Sequence, residues 1–268
     1  MTASDLDHVL WIGGASGAGK TTVAGRLVRR WGLRLYSSDT RTWEHRDRAI
    51  AAGVEAAIRF EKLSPEERTS APLEDRRAMG LGVERSAMVV EDLRGLPRRP
   101  LVVAEGTLLP ASMVDPRSAV WLLPTIEFQA RHRTEERRRD HPIDEVTAEA
   151  ARYGIPSINI DGSRDIGEVV DEVERVLVAA LAAGPVADDR VERRALLREA
   201  NLAIVDQIRT GCARPWATAD PASQVRTFVC ECGDQRCDLE IELAVGVGAS
   251  APVVGGRTPP PSGTVSRP

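Results

Sequence analysis

Short apolar runs alternate with longer amphipathic stretches over residues 1–184 of the chain. The amphipathic stretches have the spacing of helices, whereas the apolar runs are typical of buried strands. Parallel strands covered by helices on both faces are apolar throughout, so the pattern predicts an α/β fold with a doubly wound parallel sheet. The predicted strands lie at residues 8–13, 33–39, 100–106, 118–124 and 155–162.

The predicted helices fill the intervals between these strands. The longest interval, residues 40–96, reads as several helices broken near Ser64-Pro65 and Ala71-Pro72. A helical insertion of this length between two strands is where a substrate-binding subdomain would lie. The remaining helices are expected at residues 20–31, closed by Gly32, at 126–139, at 144–153 and at 165–183, capped by Ser163.

A second unit is expected after Pro185. It contains a long helix over residues 188–210, a cysteine-containing hairpin and a paired strand over 239–247. From residue 250 onwards the chain is rich in Pro, Gly and Ser without periodicity, which is typical of disorder. The predicted organisation is a main domain over residues 1–184, an appendage over 185–249 and a tail over 250–268.

The stretch between the first predicted strand and helix matches G-x-x-x-x-G-K-[ST], the P-loop pattern. In such a loop the backbone N–H groups and the helix N-terminus surround the phosphates of a nucleotide. Lys20 is expected to place its charge on the β- and γ-phosphates, and Thr21 to offer its hydroxyl to Mg²⁺. Lys20 and Lys62 are the two lysines among 36 lysines and arginines, so a lysine here stands out. The predicted nucleotide-binding residues are Gly14, Ala15, Ser16, Gly17, Ala18, Gly19, Lys20, Thr21 and Thr22.

Two carboxylates lie at the ends of predicted strands, the edge at which open α/β sheets bind ligands. Asp39 is the candidate general base that orients and deprotonates an acceptor hydroxyl; the alternatives are a helix N-cap or an indirect Mg²⁺ ligand. Glu105 is the candidate acidic residue that holds Mg²⁺ partly through water, or it binds the substrate instead. Trp43 and His45 follow Asp39 closely, and either line an acceptor pocket or pack in a helical core.

An arginine-rich helix follows the fourth predicted strand. Arginines that close over a transferring phosphoryl group neutralise its charge, so this helix is a candidate lid. Alternatively, Glu135 pairs with arginines one turn away, and the helix is an ordinary solvated one. The predicted lid residues are Arg131, Arg133, Arg137 and Arg138.

Three cysteines lie close together in the appendage, in a C-x-C-x₄-C pattern. The thiolates of Cys230, Cys232 and Cys237 are compatible with a tetrahedral zinc ion, with Cys212, an acidic side chain or water as the fourth ligand. The spacing differs from a pair of C-x₂-C knuckles, so free thiols are the alternative. Zn²⁺ is therefore a candidate second metal beside Mg²⁺.

Composition narrows the class of protein. The 268-residue chain has a net charge of −4, so no basic field indicates a nucleic-acid partner. It lacks an apolar run of 18 residues, and residues 1–7 are polar and acidic, which fits neither a membrane span nor a signal peptide. Four cysteines in a chain of this length do not form a disulfide scaffold, so a reduced, cytoplasmic protein is expected.

These motifs together resemble the P-loop kinases of the nucleoside-monophosphate-kinase type, a group that includes gluconate, shikimate and 2-phosphoglycerate-kinase-like proteins. The resemblance covers residues 8 to about 183 and rests on residues 14–21, 36–39, 103–107, 109–110 and 161–164, and on the arginine helix. It implies ATP with Mg²⁺ as donor, a P-loop NTPase three-layer sandwich with a five-stranded parallel sheet of order 2-3-1-4-5, and a moving lid.

The resemblance also implies that Gly162, Ser163 and Arg164 lie beside the adenine. The C-terminal cysteine run is similar to a small cysteine module found at the ends of some bacterial proteins.

The expected function is transfer of the ATP γ-phosphoryl group to a hydroxyl of a metabolite. The alternative is a regulatory NTPase or a nucleotide-dependent binding module that acts through the cysteine element. A GTPase is a weaker alternative, because guanine recognition by N-K-x-D needs a lysine and Lys62 lies in Glu-Lys-Leu-Ser. A non-catalytic assembly fold is weaker still, since Gly19, Lys20 and Thr21 are intact. The sequence leaves the acceptor and the oligomeric state open.

Overall fold

The computed structural model describes residues 3–132 and 142–255. Its centre is a five-stranded sheet of order β2-β3-β1-β4-β5, in which every neighbouring pair of strands is parallel. The predicted α/β class and the strand order 2-3-1-4-5 are therefore confirmed. The strands are β1 (Val9–Gly14), β2 (Arg34–Ser37), β3 (Val102–Glu105), β4 (Ala119–Pro124) and β5 (Ser157–Ile160).

Helices connect the strands and cover both faces of the sheet. Within the described residues, none of the helices has both the length and the apolar composition that crossing a bilayer requires. The helices are α1 (Lys20–Trp31), α2 (Thr42–Ala51), α3 (Glu55–Lys62), α4 (Pro65–Ser70), α5 (Leu73–Met79), α6 (Gly82–Gly95), α7 (Ile126–His132), α8 (Ile143–Arg152), α9 (Ile166–Ala183), α10 (Arg190–Cys212) and α11 (Val245–Ser250).

Strand β1 lies between two cores and is buried at every position. Leu10 and Ile12 face the core that α1 and α9 cover. Val9 and Trp11 face the opposite core, which α6 and α8 complete. This two-sided burial explains why the strand is apolar throughout rather than alternating.

Two helix ends were predicted from single residues, with different outcomes. Gly32 ends α1 with a φ of 69° and donates its N–H to Val28 O, as expected of a glycine after a helix. The cap of α9 is Asp165, so the prediction of Ser163 was wrong. Asp165 accepts from the N–H of Glu168, and the Glu168 carboxylate accepts in return from the Asp165 N–H, so the pair forms a capping box.

The insertion between β2 and β3 holds helices α2 to α6, which the short 3₁₀ turn Ser38–Arg41 precedes. The helices of the insertion are interrupted at both predicted positions, near Ser64-Pro65 and near Ala71-Pro72. Ser64 caps α4 with a capping box, and Pro72 precedes α5. Proline disfavours the helical conformation of the residue before it, which separates these short helices.

Trp43 and His45 pack within this insertion and its neighbours. The buried His45 Nε2 lies 2.7 Å from Asp92 Oδ2, and the Tyr36 hydroxyl donates to the same oxygen. Trp43 packs against Trp216, with 5.7 Å between their ring centroids. Of the two interpretations open for Trp43 and His45, the contacts support the structural one.

The C-terminal unit packs its long helix α10 against β2 and α2. Strands β6 (Val225–Val229) and β7 (Glu240–Ala244) form an antiparallel hairpin. Its buried face, centred on Phe228, packs with Val205 of α10 and Val245 of α11. The predicted strand over residues 239–247 was wrong beyond Ala244, because the chain turns there into α11.

The tail was predicted to begin at residue 250, but the chain still packs on the C-terminal unit at Val253. Val253 is 3% exposed and packs in the same small core as Phe228. Its carbonyl accepts from the N–H of Glu231. Residues 256–268 of the predicted tail lie outside the described residues.

Candidate functional site

The glycine-rich loop between β1 and α1 needs glycine at three positions. Gly14, Gly17 and Gly19 have φ values of 121°, 88° and 80°, a region that other residues rarely adopt. A Cβ on Gly14 would also overlap the backbone of Leu122 in β4. The loop ends at the first turn of α1, where Gly19 occupies the N-cap position and no side chain of the described residues caps the helix. Such a helix N-terminus attracts anions.

Lys20 is folded back over this loop. Its side chain is largely buried, and Nζ donates to the Ala15 carbonyl at 2.9 Å and to Thr107 Oγ1 at 3.2 Å. The ammonium group therefore lies between the ends of β1 and β3. Thr107 was missed by the sequence analysis as a Lys20 partner, because nothing local relates two positions that far apart.

Glu105 is the most buried acidic residue of this edge, at 1% exposure. Its two carboxylate oxygens accept from hydroxyls on different elements, Oε2 from Thr21 at 3.3 Å and Oε1 from Ser37. The β2–β3 register pairs Ser37 with Glu105, so the sheet itself brings this contact about. Carboxylate and hydroxyl oxygens of this kind are the ligands that Mg²⁺ prefers.

The pKa of Glu105 is raised to about 7. Burial is the main cause, and the nearby Asp39 carboxylate adds to it, whereas Ser37, Lys20 and Thr21 act in the opposite direction. A bound cation would favour the charged form and offset the cost of burying it. We refer below to Thr21, Ser37 and Glu105 as the oxygen centre.

Asp39 lies on the exposed side of the 3₁₀ turn that follows β2. It does not cap a helix, because Ser37 precedes the turn and Arg41 occupies the N-cap position of α2. The N-cap alternative was therefore wrong. The turn is fastened from α6 by the buried Arg85, which donates to Ser38 O and Thr42 Oγ1, both at 2.9 Å.

Arg85 itself was missed by the sequence analysis. Burial lowers its pKa, and the charge of Asp39 partly counteracts this effect. Asp39 therefore lies near enough to both Arg85 and Glu105 to act on their charges.

The predicted lid begins on α7. Arg131 is exposed, and its Nε donates to the Glu127 carbonyl of its own helix at 3.4 Å. Arg133, Arg137 and Arg138 lie outside the described residues. Gln129 of α7 contacts the glycine-rich loop: it is buried and donates from Nε2 to the Ser16 carbonyl at 3.0 Å.

The loop after β5 lies beside the same edge. The Asp161 carboxylate accepts from the N–H and the hydroxyl of Ser163, at 2.9 and 2.6 Å. These bonds lower the pKa of Asp161. Gly162, with a φ of 87°, lies against Phe128 of α7, and Ile166 at the start of α9 comes close to Gly19.

The side chain of Arg164, in the same loop, is directed towards α9. Arg164 forms an ion pair with Glu172 of α9 and donates to the Asn159 carbonyl. The structure therefore places Gly162 against α7 and Ile166 beside Gly19, and it ties the guanidinium of Arg164 to α9.

A cavity of about 230 Å³ opens directly beside the oxygen centre. On one side it is lined by Thr21, Thr22 and Gly25 of α1 and by Ser37 and Thr40. The opposite wall belongs to the C-terminal unit: Ala203 and Ile204 of α10, and Phe228 and Val229 of the hairpin, are among its residues. No motif in the sequence predicts that α10 and the hairpin form this wall.

The three cysteines lie in the loop that joins β6 and β7. Their Sγ atoms are all within 4.8 Å of one another. Cys212 does not join them, so this choice of fourth ligand was wrong. Arg190, at the first turn of α10, donates to the Cys232 carbonyl, whereas Cys212 ends the same helix, about 33 Å away at a rise of about 1.5 Å per residue.

Comparison of the chain with protein-family models and with curated proteins gives no match.

Proposed function

We propose that this protein is an ATP-dependent kinase of the P-loop type that transfers the γ-phosphoryl group to a hydroxyl of a small metabolite. The observation that carries the proposal is the convergence of Lys20, Thr21 and Glu105 at the start of α1, beside a loop that needs glycine at three positions. A positive charge, a helix N-terminus and hard oxygen ligands are what phosphoryl transfer from a magnesium nucleotide requires.

In this proposal residues 14–22 hold the triphosphate of ATP. Thr21 and Glu105 hold Mg²⁺, Glu105 partly through water, and Ser37 orients the Glu105 carboxylate. When bound there, Mg²⁺ would stabilise the charge that develops on the phosphates. The adenine lies against Phe128 and Gly162, with Ser163 and the backbone of Arg164 at its edge.

The acceptor is proposed to lie in the cavity beside Thr21 and Ser37. Its volume of about 230 Å³ is smaller than the ~300–1,000 Å³ of typical ligand pockets, which favours a small metabolite over a nucleotide. Asp39, on the turn between Ser37 and Thr40, takes the proton of the acceptor hydroxyl. The acceptor oxygen then bonds to the γ-phosphorus while the bond from that phosphorus to the bridging oxygen breaks, and ADP leaves.

The lid arginines stay part of the proposal. Arg131, Arg133, Arg137 and Arg138 would close over the γ-phosphoryl group and exclude water, which otherwise competes with the acceptor. We place the reaction in the cytoplasm, where ATP is supplied and thiols stay reduced; the four cysteines are free here.

A regulatory NTPase is the second candidate, and one contact favours it. The hairpin residue Val229 packs on Gly25, one turn along α1 from Thr21. A shift of α1 on nucleotide binding would therefore reach the C-terminal unit directly. In this function ATP is hydrolysed and the C-terminal unit transmits the nucleotide state to a partner.

The experiment that separates the two candidates follows the label of γ-labelled ATP. Wild-type protein is incubated with labelled ATP, Mg²⁺ and a pool of cellular metabolites, and the products are separated. We expect a labelled small molecule that does not form without protein or without Mg²⁺. Label recovered only as free phosphate would instead support the NTPase, and unchanged ATP would contradict both candidates.

A further inference from the structure

The hairpin loop carries a second cluster of metal-ligand atoms, which shares no residue with the oxygen centre. Cys230, Cys232 and Cys237 are contributed by one short loop, and their sulfur atoms lie within 4.8 Å of one another. Zn²⁺ bound tetrahedrally at about 2.3 Å from each thiolate would hold the sulfur atoms about 3.8 Å apart. The present spacing is therefore close to that of a zinc site and needs little movement of the loop.

The backbone of the loop is arranged for negatively charged sulfur. The N–H of Asp234 donates to Cys232 Sγ at 3.4 Å, and the N–H of Gly255 donates to Cys230 Sγ at 3.3 Å. Donors of this kind orient metal ligands and stabilise their charge. Gly233, with a φ of 72°, makes the turn that brings the Asp234 amide back to the sulfur.

Arginines outnumber acidic residues in the lining of the cavity beside the cysteines, where Asp238 is the acidic member. A cavity of about 400 Å³ beside Cys237 is lined by three arginines of α1, Arg26, Arg29 and Arg30, and by Arg236 of the loop. Arg29 is buried, and its Nη2 has no hydrogen-bond partner among the described residues; its nearest acidic oxygen, Glu240 Oε1, is 4.0 Å away. Three thiolates with one Zn²⁺ carry a net charge of −1, which would complement this cluster.

We propose that Cys230, Cys232 and Cys237 bind one zinc ion as thiolates, and that water or another exogenous ligand takes the fourth position. Within the described residues, no further His, Cys, Asp or Glu atom joins the three sulfurs, which leaves that position open. Three protein ligands with an open position differ from the closed four-ligand sites of zinc knuckles.

The zinc ion would fasten the hairpin to the main domain. Arg190 of α10 donates to the Cys232 carbonyl at 2.8 Å, and Arg29 of α1 donates to the Leu239 carbonyl at 2.9 Å. The loop is thus held from two helices, and a metal ion would close it from within. Because metal binding adds to the stability of the fold that forms the site, zinc loss is expected to loosen the hairpin.

The test measures metal content and thiol reactivity of the full-length protein purified under reducing conditions. We expect one zinc ion per chain by elemental analysis, and release of that zinc as a mercurial reagent titrates three thiols. Replacement of zinc by Co²⁺ should produce a thiolate-to-cobalt charge-transfer band. Iron or copper in place of zinc, or a disulfide among the three cysteines in the freshly reduced protein, would overturn the proposal.

Two variants make the assignment residue-specific. Cys232→Ser should lower zinc content at least tenfold, whereas Cys212→Ser, at the far end of α10, should retain it. If Cys232→Ser does not fold, the cobalt spectrum of the wild-type protein still decides the question. Wild-type protein that binds neither zinc nor cobalt, with all four thiols reactive, would exclude the site whether or not the protein is a kinase.

Discussion

The oxygen centre and the cysteine loop are built in opposite ways. The oxygen centre combines α1, β2 and β3, and its Thr21–Glu105 bond joins residues 84 positions apart. The cysteine loop takes all three sulfur atoms from one connection between two strands. The first therefore depends on the register of the parallel sheet, whereas the second depends on the local path of a single loop.

The two centres also differ in their electrostatics. Glu105 is a buried carboxylate beside a second carboxylate, so its charged form is disfavoured until a cation binds. The cysteines lie beside four arginines; Arg26 and Arg30 are paired with carboxylates, whereas Arg29 Nη2 has no hydrogen-bond partner among the described residues. Hard oxygen ligands suit Mg²⁺ and soft thiolates suit Zn²⁺, so we propose a different cation for each centre. The C-terminal unit links them, since its hairpin carries the sulfurs and also forms a wall of the cavity beside Thr21.

The largest expected effect is that of Lys20→Ala. It removes the positive charge between the ends of β1 and β3 and should lower phosphoryl transfer by about 10²–10³-fold. Steady-state kinetics with the identified acceptor measure this loss. The control is Lys62→Ala, since Lys62 is exposed on α3 and is the other lysine of the chain. Equal rates in the two variants would remove Lys20 from the proposed mechanism.

Glu105→Gln should change metal binding at the oxygen centre and leave the cysteine loop unaffected. A neutral amide binds Mg²⁺ less well, so activity should fall about 10–100-fold and the Mg²⁺ concentration for half-maximal activity should rise. Zinc content should not change, because the cysteine loop does not depend on Glu105. Glu66→Gln, on the exposed face of α4, is the matched control. An unchanged Mg²⁺ requirement would leave Glu105 without its proposed role.

Filling the cavity tests whether the C-terminal unit contributes to acceptor binding. Ala203→Leu adds bulk to the α10 wall and should raise the KM for the acceptor about tenfold, equivalent to about 1.4 kcal/mol. The KM for ATP should stay the same, because the glycine-rich loop is untouched. Ala195→Leu adds the same bulk to an exposed position of α10 and should change neither value. Should both KM values rise together, the cavity is not an acceptor site.

The last expected effect is on stability and its pH dependence. The raised pKa of Glu105 means that the native protein holds a proton that the unfolded chain has released between about pH 4.5 and 7. The contribution of Glu105 to stability therefore falls as pH rises through this range, by at most about 3 kcal/mol.

Glu105→Gln removes this pH-dependent loss of stability, because the amide does not titrate. In a chelator, the melting temperature of the variant should exceed that of the wild type by more at pH 8 than at pH 5. Thermal unfolding at several pH values measures the difference. A constant difference between the two proteins would show that the Glu105 carboxyl does not titrate in this range.

Much of the architecture was predictable from local patterns. The apolar runs predicted β1, β3 and β4 to within a few residues, because strands buried on both faces must be apolar. The edge strands β2 and β5 are only partly buried and mix apolar with polar residues, but they too were predicted to within a few residues. Pro65 and Pro72 predicted the breaks in the insertion, because proline restricts the residue before it. The errors fell where local signals compete: Ser163 and Asp165 are both capping residues, and it is Glu168 that completes a capping box with Asp165.

The partners of the candidate site were less accessible. Four residues form hydrogen bonds to the predicted site from distant parts of the chain: Thr107, Ser37, Arg85 and Gln129. No short sequence spacing connects any of them with its partner. The strand register and the packing of α6 and α7 bring them there. Cys212 is the opposite case. Its position in the sequence made it a candidate zinc ligand, but the length of α10 holds it far from the other three cysteines.

The sequence by itself determined most of the elements: which stretches form the central strands, where the glycine-rich loop lies, and which lysine, carboxylates and cysteines are candidates for chemistry. These properties depend on residue type and on neighbours a few positions away. Only the tertiary structure decided that Glu105 is held between Thr21 and Ser37, and that α10 and the hairpin close a cavity beside them. The reason is physical, because burial, register and contacts between distant segments arise only when the whole chain packs.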